Sequence, residues 1–398
     1  MADAGREAFI TGIGIVSCLG EGADAHWHGL NEPPRTPDIE TFAPYVVHRL
    51  APIELDKQIP KKGDQRQMEA WQRTGTYAAG LALDSAGAKG NAELLGRMDM
   101  IVAAGGGERD EAVDATILTG LGKAADKEAF LNERLMSDLR PTLFLAQLSN
   151  LLAGNISIVH GVTGMSRTFM GEEAAGTDAV RIALSRIQSG QSDICLVGGA
   201  YNGERKDMLL LFGAGGFIMK GPFAPVWERA SHGGGMALGS LGAFLVLESR
   251  EHATARNAKP LARLLSVQSD RTNRQPGAVA ASLARMWKTI SSRLVSGRVA
   301  VISGATGADP ATAEERAWLA TVPDVPVRAT GTHVGHGLEP QFVMNIALAT
   351  VALGHEKLFA PASSSGPEKA MESPLAQVVV TGVGHWRGEG MALVEAAQ

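Results

Sequence analysis

Short, almost purely apolar runs recur along the whole chain, and most of them run straight into glycine. Met98-Asp99-Met100-Ile101-Val102-Ala103-Ala104-Gly105, Asp193-Ile194-Cys195-Leu196-Val197-Gly198-Gly199 and Val299-Ala300-Val301-Ile302-Ser303-Gly304 share this form, and Ala243-Phe244-Leu245-Val246-Leu247-Glu248 is a similar run without the closing glycine. A strand covered on one face alternates apolar and polar residues; a run without alternation reads as a strand covered on both faces. Phe9 to Gly20, FITGIGIVSCLG, reads as a further buried strand entering a glycine turn, and Asn155-Ile156-Ser157-Ile158-Val159 as a short one.

Between these runs lie helical patterns. Trp71 to Ala86 is one, and Glu172 to Ser189 is the clearest, because Val180, Ala183, Leu184 and Ile187 fall at i, i+3, i+4 and i+7. The first turn of that second helix, Glu173-Ala174-Ala175-Gly176-Thr177, is small beyond its glutamate and suited to close packing. Buried strands alternating with amphipathic helices call for layers, with helices covering the sheets on both faces. The segment from 32 to 66 and Pro361 to Pro374 read as surface excursions, and the polar stretch Arg250 to Pro260 as the boundary between halves 1–255 and 256–398. Met100 to Gly105 echoes Val299 to Gly304, and each half ends in an apolar strand, so the chain reads as a duplication.

Composition excludes several classes of function. The 398 residues are 45% hydrophobic and 20% charged, ordinary for a folded chain, and the formal net charge of −5 gives no basic surface for nucleic acid. Two cysteines, Cys18 and Cys195, exclude a disulfide framework and point to a reducing, cytoplasmic setting. MADAGREAF lacks the basic and apolar regions of a signal peptide, and no run of about 18 apolar residues suggests a membrane span.

Three motifs fail on inspection. Gly12-Ile13-Gly14 begins a dinucleotide fingerprint, but Ser17 stands where the third glycine belongs. His232-Gly233-Gly234-Gly235 has no accompanying G-x-S-x-G elbow and reads as a tight turn. His333, His336 and Glu339 lack a completing cluster, so no metal site is expected.

Taken together and in order, the segments resemble the β-ketoacyl-acyl-carrier-protein synthases of the thiolase-like superfamily. FITGIGIVSCLG followed by His26-Trp27-His28-Gly29-Leu30, then NISIVHGVTG, GQSDICLVGG, GSLGAFLVLE, Val334-Gly335-His336-Gly337 and the closing TGVGHWRGEGMALVE carry the resemblance across nearly the whole chain. It implies a duplicated five-layer αβαβα sandwich, no cofactor beyond the carrier-linked acyl chain, and dimers formed through a sheet edge near the strand ending at Gly199. Members of this family condense acyl chains on a cysteine at a helix N-terminus, where the macrodipole favours thiolate, with two histidines and a lysine in support.

Counting back from Gly198-Gly199 puts Glu173 at the cysteine position. VISGATGADPATAEERAW places Ser303 at the first histidine, with Ala305 and Gly307 at the two threonines that usually bind pantetheine. The lysine position falls at Gly331, the second histidine is kept as His336, and Gly384 stands for a gating phenylalanine whose space Trp386 is expected to refill in part. Cys18 and Cys195 read as structural thiols. A carboxylate is a poor acyl acceptor, since attack on a thioester would give an anhydride. The resemblance therefore implies a non-condensing relative, similar to the chain-length factors of type II polyketide systems, which usually carry glutamine at this position. Its expected partners are an acyl carrier protein and an active synthase bound as a heterodimer, with a homodimer also open. A malonyl-carrier decarboxylase, an altered acyltransferase and a non-covalent acyl-binding protein are the alternatives.

Overall fold

The structure is a computed structural model, described here for residues 6–138, 147–363 and 366–397. Ten principal strands carry it: β1 Ala8–Ser17, β2 Asp99–Ala103, β3 Ser166–Phe169, β4 Ile194–Tyr201, β5 Leu241–Ser249, β6 Ala262–Asp270, β7 Val299–Ser303, β8 Val327–Ala329, β9 Gln377–Val383 and β10 Glu389–Ala396. The helices that matter to the site and its surroundings are α1 Ala70–Ser85, α2 Glu111–Leu121, α3 Lys127–Asp138, α4 Leu151–His160, α5 Glu172–Gln188, α6 Lys206–Ala214, α7 Ala278–Ile290, α8 Ala311–Leu319 and α9 Gln341–Gly354.

The apolar runs become the central strands, as their lack of alternation requires. β2, β4, β5 and β7 are buried at every residue. Strand order is β3-β2-β4-β5-β1 in one array and β8-β7-β9-β10-β6 in the other. In each array the first two pairings are parallel and the last two antiparallel. The two arrays therefore repeat one topology, and they meet where Phe9 and Ile10 of β1 pair with Arg263 and Ala262 of β6. Identical chain order and identical strand senses are what a duplication leaves behind.

Helices complete five layers. α1 packs on β1, β4 and β5, and α4 packs on α1; α7 and α8 pack on β10 and β9 and on each other. α5 and α9 lie between the two arrays, each touching strands of both. α9 is buried on all sides from Gln341 to Leu353, which is why its sequence, FVMNIALATVAL, shows no polar face. This is the αβαβα sandwich that the resemblance implied.

Two glycine features resolve physically. A Cβ on Gly12 or Gly14 would lie 2.4 Å from the Ala82 carbonyl oxygen or 2.0 Å from that of Ala78, so these glycines let α1 sit directly on β1. The aborted dinucleotide motif is a packing device. After the 3-10 turn Val226–His232, Gly233, Gly234 and Gly235 all have positive φ, the tight turn expected there.

Two expectations are corrected. Asn155 to Val159 is helical, inside α4, and not a strand. Its buried residues Leu152, Ala153, Ile156 and His160 form one helical face against α1, and Gly161 at φ 78 ends it. The strand of this region is β3, eleven residues further on from Asn155, where Ser166 and Arg167 are exposed and no apolar run marks it. β3 is also the outer edge of its array; the strand containing Gly199 is interior, flanked by β2 and β5.

Candidate active site

The site forms where α5 begins between the two arrays. Gly171 at φ 122 and Glu172 at φ 55 turn the backbone through left-handed conformations immediately before the helix. That turn sends the side chain of Glu173 inward, leaving the residue 5% exposed. Burial alone would push its pKa up. The charge of His385 and hydrogen bonds from His336 and His385 outweigh burial and hold the carboxyl well below the usual carboxylate range.

One oxygen collects all of these contacts. Glu173 Oε1 accepts from His336 Nε2 at 2.8 Å, from His385 Nδ1 at 2.9 Å and from the backbone N–H of His385 at 3.1 Å. Because an ionised carboxylate only accepts, these bonds assign the proton to Nε2 of His336 and to Nδ1 of His385. Burial works against the charged form of His385, and the Glu173 charge beside it raises its pKa regardless. The second oxygen, Glu173 Oε2, is buried without a hydrogen-bond partner, as are Glu339 Oε2 and the Tyr201 hydroxyl. Burial first, and then the charges of Glu173 and Glu172, push the Glu339 carboxyl up to about 7.

Each histidine is held independently of the glutamate. The His336 backbone N–H donates to the Ala237 carbonyl at 2.8 Å, and its carbonyl accepts from Gly239 N at 2.9 Å. The His385 ring sits edge-on between Phe212 of α6 and Phe217, at 5.1 and 4.9 Å between ring centres. Its turn, Gly384–Gly388 between β9 and β10, is braced by Arg274, whose Nη2 donates to the Gly384 carbonyl at 2.6 Å and whose Nε donates to that of Trp386 at 3.1 Å. Arg274 is itself anchored by the buried carboxylate of Glu389.

The sequence-derived positions divide. Glu173 and His336 meet. Ser303 stands at the end of β7, where its hydroxyl donates to Glu315 Oε1 at 2.8 Å and accepts from Ala305 N at 3.0 Å; no hydrogen bond among the described residues joins it to Glu173. Burial pushes Glu315 up to about 7. At Gly307, though not at Gly331, the space belongs to Arg229, a fully buried guanidinium. It donates to the carbonyls of Ala224 at 3.0 Å, Thr306 at 2.7 Å and Gly331 at 3.3 Å. A Cβ at Gly307 would lie 2.4 Å from Arg229 Cδ. Burial without a carboxylate partner draws its pKa down to about 9.

The expectation that Trp386 refills the gating position is overturned: Trp386 is 58% exposed, and its neighbour His385 turns inward instead. The only signal in the sequence was a histidine beside Gly384 in the closing motif, 212 residues from its partner Glu173. Neither thiol reaches the tip of α5. Cys18 donates to the His333 carbonyl at 3.1 Å and burial pushes it up to about 11, while Cys195 lies fully buried in β4 and is pushed up further. Among the described residues no group of three or more His, Cys, Asp or Glu is arranged to hold a metal ion, and no helix is long and apolar enough to cross a membrane. A cleft of about 480 Å³ flanks the outer side of α5, lined by Met170, Ala174, Asp178, Arg181 and Arg387; Glu173, His336 and His385 do not line it.

Comparison with known proteins accords with this geometry. Residues 6–253 match the family described as "Beta-ketoacyl synthase, N-terminal domain". The chain is 27% identical over 270 residues to 3-oxoacyl-[acyl-carrier-protein] synthase 2 of Vibrio harveyi, covering 65% of this chain and 62% of that protein. It is 28% identical over 277 residues to nodulation protein E of Rhizobium leguminosarum bv. trifolii, covering 66% and 63%. A putative polyketide β-ketoacyl synthase 1 of Streptomyces halstedii is 28% identical over 265 residues, covering 64% and 60%. The matches thus span less than two thirds of each relative's length. Among solved structures, the ishigamide ketosynthase/chain length factor superposes with a TM-score of 0.78 at 20% identity, covering 99% of this chain and 100% of that one. A β-ketoacyl synthase from Burkholderia phymatum gives 0.78 at 17% identity, covering 99% and 100%. With the layered fold, the ordered motifs and the match over residues 6–253 in agreement, the chain belongs to the β-ketoacyl synthase family.

Proposed function

We propose that this chain is a non-condensing member of the family and works as the partner subunit of an active synthase, on substrates borne by an acyl carrier protein in fatty acid or polyketide synthesis. The observation that carries this reading is Glu173: the catalytic position holds an ionised carboxylate, bound by two histidines and a backbone N–H, where condensation needs a thiolate. An acceptor oxygen engaged three times, in a group whose pKa is held low, is a very weak nucleophile. In this reading Ser303 and Gly331 stand at the positions that the family resemblance assigns to two further catalytic side chains, so the loss does not rest on one position.

The surface supports a partner. Among the described residues β3 pairs on one side only, with β2, and its other edge offers backbone groups to a second chain. Of the twelve large apolar side chains exposed among the described residues, seven lie between positions 118 and 170: Leu118, Leu131, Leu135, Met136, Leu148, Ile158 and Met170. This stretch includes β3, the projecting helix α3 with no buried residue, and α4. Exposed apolar side chains concentrated in one stretch of chain that also carries a sheet-edge strand are what an interface with a partner would use. The two halves, 1–255 and 256–398, act as one unit in this reading. Co-expression with cysteine-bearing synthases from the same source, followed by affinity purification and native mass spectrometry, tests it; heterodimers support the reading, and homodimers alone with every synthase overturn it.

One observation favours a second reading. His336 and His385 place two imidazoles at position 173, and decarboxylation of a malonyl thioester requires no nucleophile. Incubation of the pure protein with malonyl-carrier protein, scored for acetyl product, decides it; no release of CO2 removes the decarboxylase.

A further inference from the structure

The three donors around Glu173 do not depend on Glu173 for their positions. His336 is fixed by backbone bonds to Ala237 and Gly239, and His385 by the rings of Phe212 and Phe217 and by the Arg274 brace on its turn. Nε2–H of His336, Nδ1–H of His385 and the His385 backbone N–H point at one place, and what lies there is a carboxylate oxygen. Two imidazoles and an amide converging on one oxygen in a buried chamber form a receptor for an oxyanion. The receptor is not a metal centre, because both ring nitrogens act as donors.

The surroundings also fit a carboxylate. Its second oxygen, Glu173 Oε2, lies 3.2 Å from where a Cβ on Gly384 would stand, a glycine that the Arg387 carbonyl oxygen, 2.0 Å from the same point, already requires. Two further buried polar atoms with no hydrogen-bond partner, Glu339 Oε2 and the Tyr201 hydroxyl, belong to groups that feel the charge of Glu173. The side chain that fills the receptor comes from α5, and the donors come from the β9–β10 turn and from the segment before α9, so the contact ties three elements of the two arrays together.

We propose that His336, His385 and the backbone amide of His385 form a carboxylate-binding site, that Glu173 is its tethered ligand, and that this contact latches the Gly384–Gly388 turn over the tip of α5. The ligand class is a small monocarboxylate, and formate matches the terminal carboxylate of the glutamate. The inference holds whether or not the chain partners a synthase, since it concerns what the donors bind and not what the subunit assembles with.

Glu173→Ala cuts the ligand from its tether and leaves the donors in place. The unfolding temperature of the full chain is measured for the native protein and for Glu173→Ala, with sodium formate titrated against equal concentrations of sodium chloride and of formamide. The expected result is a fall in unfolding temperature for Glu173→Ala that formate reverses saturably, that chloride and formamide do not reverse, and that disappears in Glu173→Ala/His385→Ala. A Glu173→Ala protein as stable as the native one, or one that formate helps no more than chloride, overturns the proposal. If the variant does not accumulate folded, refolding from denaturant with and without formate reads the same site: recovery that depends on formate supports it, and equal recovery overturns it. Glu173→Gln supplies the remaining contrast, a neutral ligand of the same shape, expected to be destabilised and insensitive to formate; native stability in that variant also overturns the proposal.

Discussion

Replacing Glu339 by glutamine tests the electrostatics of the site quantitatively. Glu339 is 4% exposed and one of its carboxyl oxygens lacks a partner. Burial, with the charges of Glu173 and Glu172 added, raises its pKa from 4.5 to about 7. The native state therefore keeps a proton that the unfolded chain has already released. A carboxyl raised in this way favours the folded state below the unfolded pKa, and that advantage drains away as pH rises from 4.5 towards 7. At about 1.4 kcal/mol per pKa unit, the loss across this window is about 3 kcal/mol. Glutamine has nearly the same shape and no titration. Urea unfolding at pH 5, 6, 7 and 8 should show Glu339→Gln gaining on the native protein as pH rises, by about 2 to 3 kcal/mol in total, with an unchanged denaturant slope. Any cost of the amide hydrogens is the same at every pH and leaves that trend intact. A stability difference that does not change between pH 5 and 8 would refute the reasoning.

Three other outcomes follow from the same geometry. His385→Ala removes two aromatic contacts and one donor from a buried carboxylate, and should cost about 3 to 5 kcal/mol in urea unfolding, whereas a loss below about 1 kcal/mol contradicts the assigned hydrogen bonds. Gly176→Ala puts a methyl 2.1 Å from the Glu339 carbonyl oxygen, forces α5 away from the start of α9, and should cost about 1 to 3 kcal/mol; an unchanged unfolding midpoint would be inconsistent with this packing. Cys18, raised to about 11, and the fully buried Cys195 should both resist iodoacetamide at pH 8 in the folded protein and react once it is unfolded, as read by intact-mass spectrometry.

How much of this was legible beforehand depends on whether the signal is local. Strands covered on both faces must be apolar at every position, so β2, β4, β5 and β7 announce themselves in runs of five or more residues. The face of α5 shows in Val180, Ala183, Leu184 and Ile187, and all four are buried. Glu173, picked out by counting back from Gly198-Gly199 without a gap, is buried at the first turn of the same helix. Runs as short as Asn155 to Val159 carry too few residues for periodicity to separate strand from helix, and α4 was misread for that reason. An edge strand such as β3, half wet and four residues long, carries almost no pattern.

The sequence by itself therefore determined the buried strands, the apolar face of α5 and the glutamate in its first turn, since each follows from burial patterns or spacing within one segment, while the five layers were what the family resemblance implied. Only the tertiary structure decided that His385 would turn inward while Trp386 faced solvent, that Ser303 would serve Glu315 instead of the site, and that Arg229 would fill the space at Gly307. Those contacts join residues from 12 to 212 positions apart. Their partners are chosen by how two sheets and the helices between them pack, and packing distances are not written in the periodicity of any one segment.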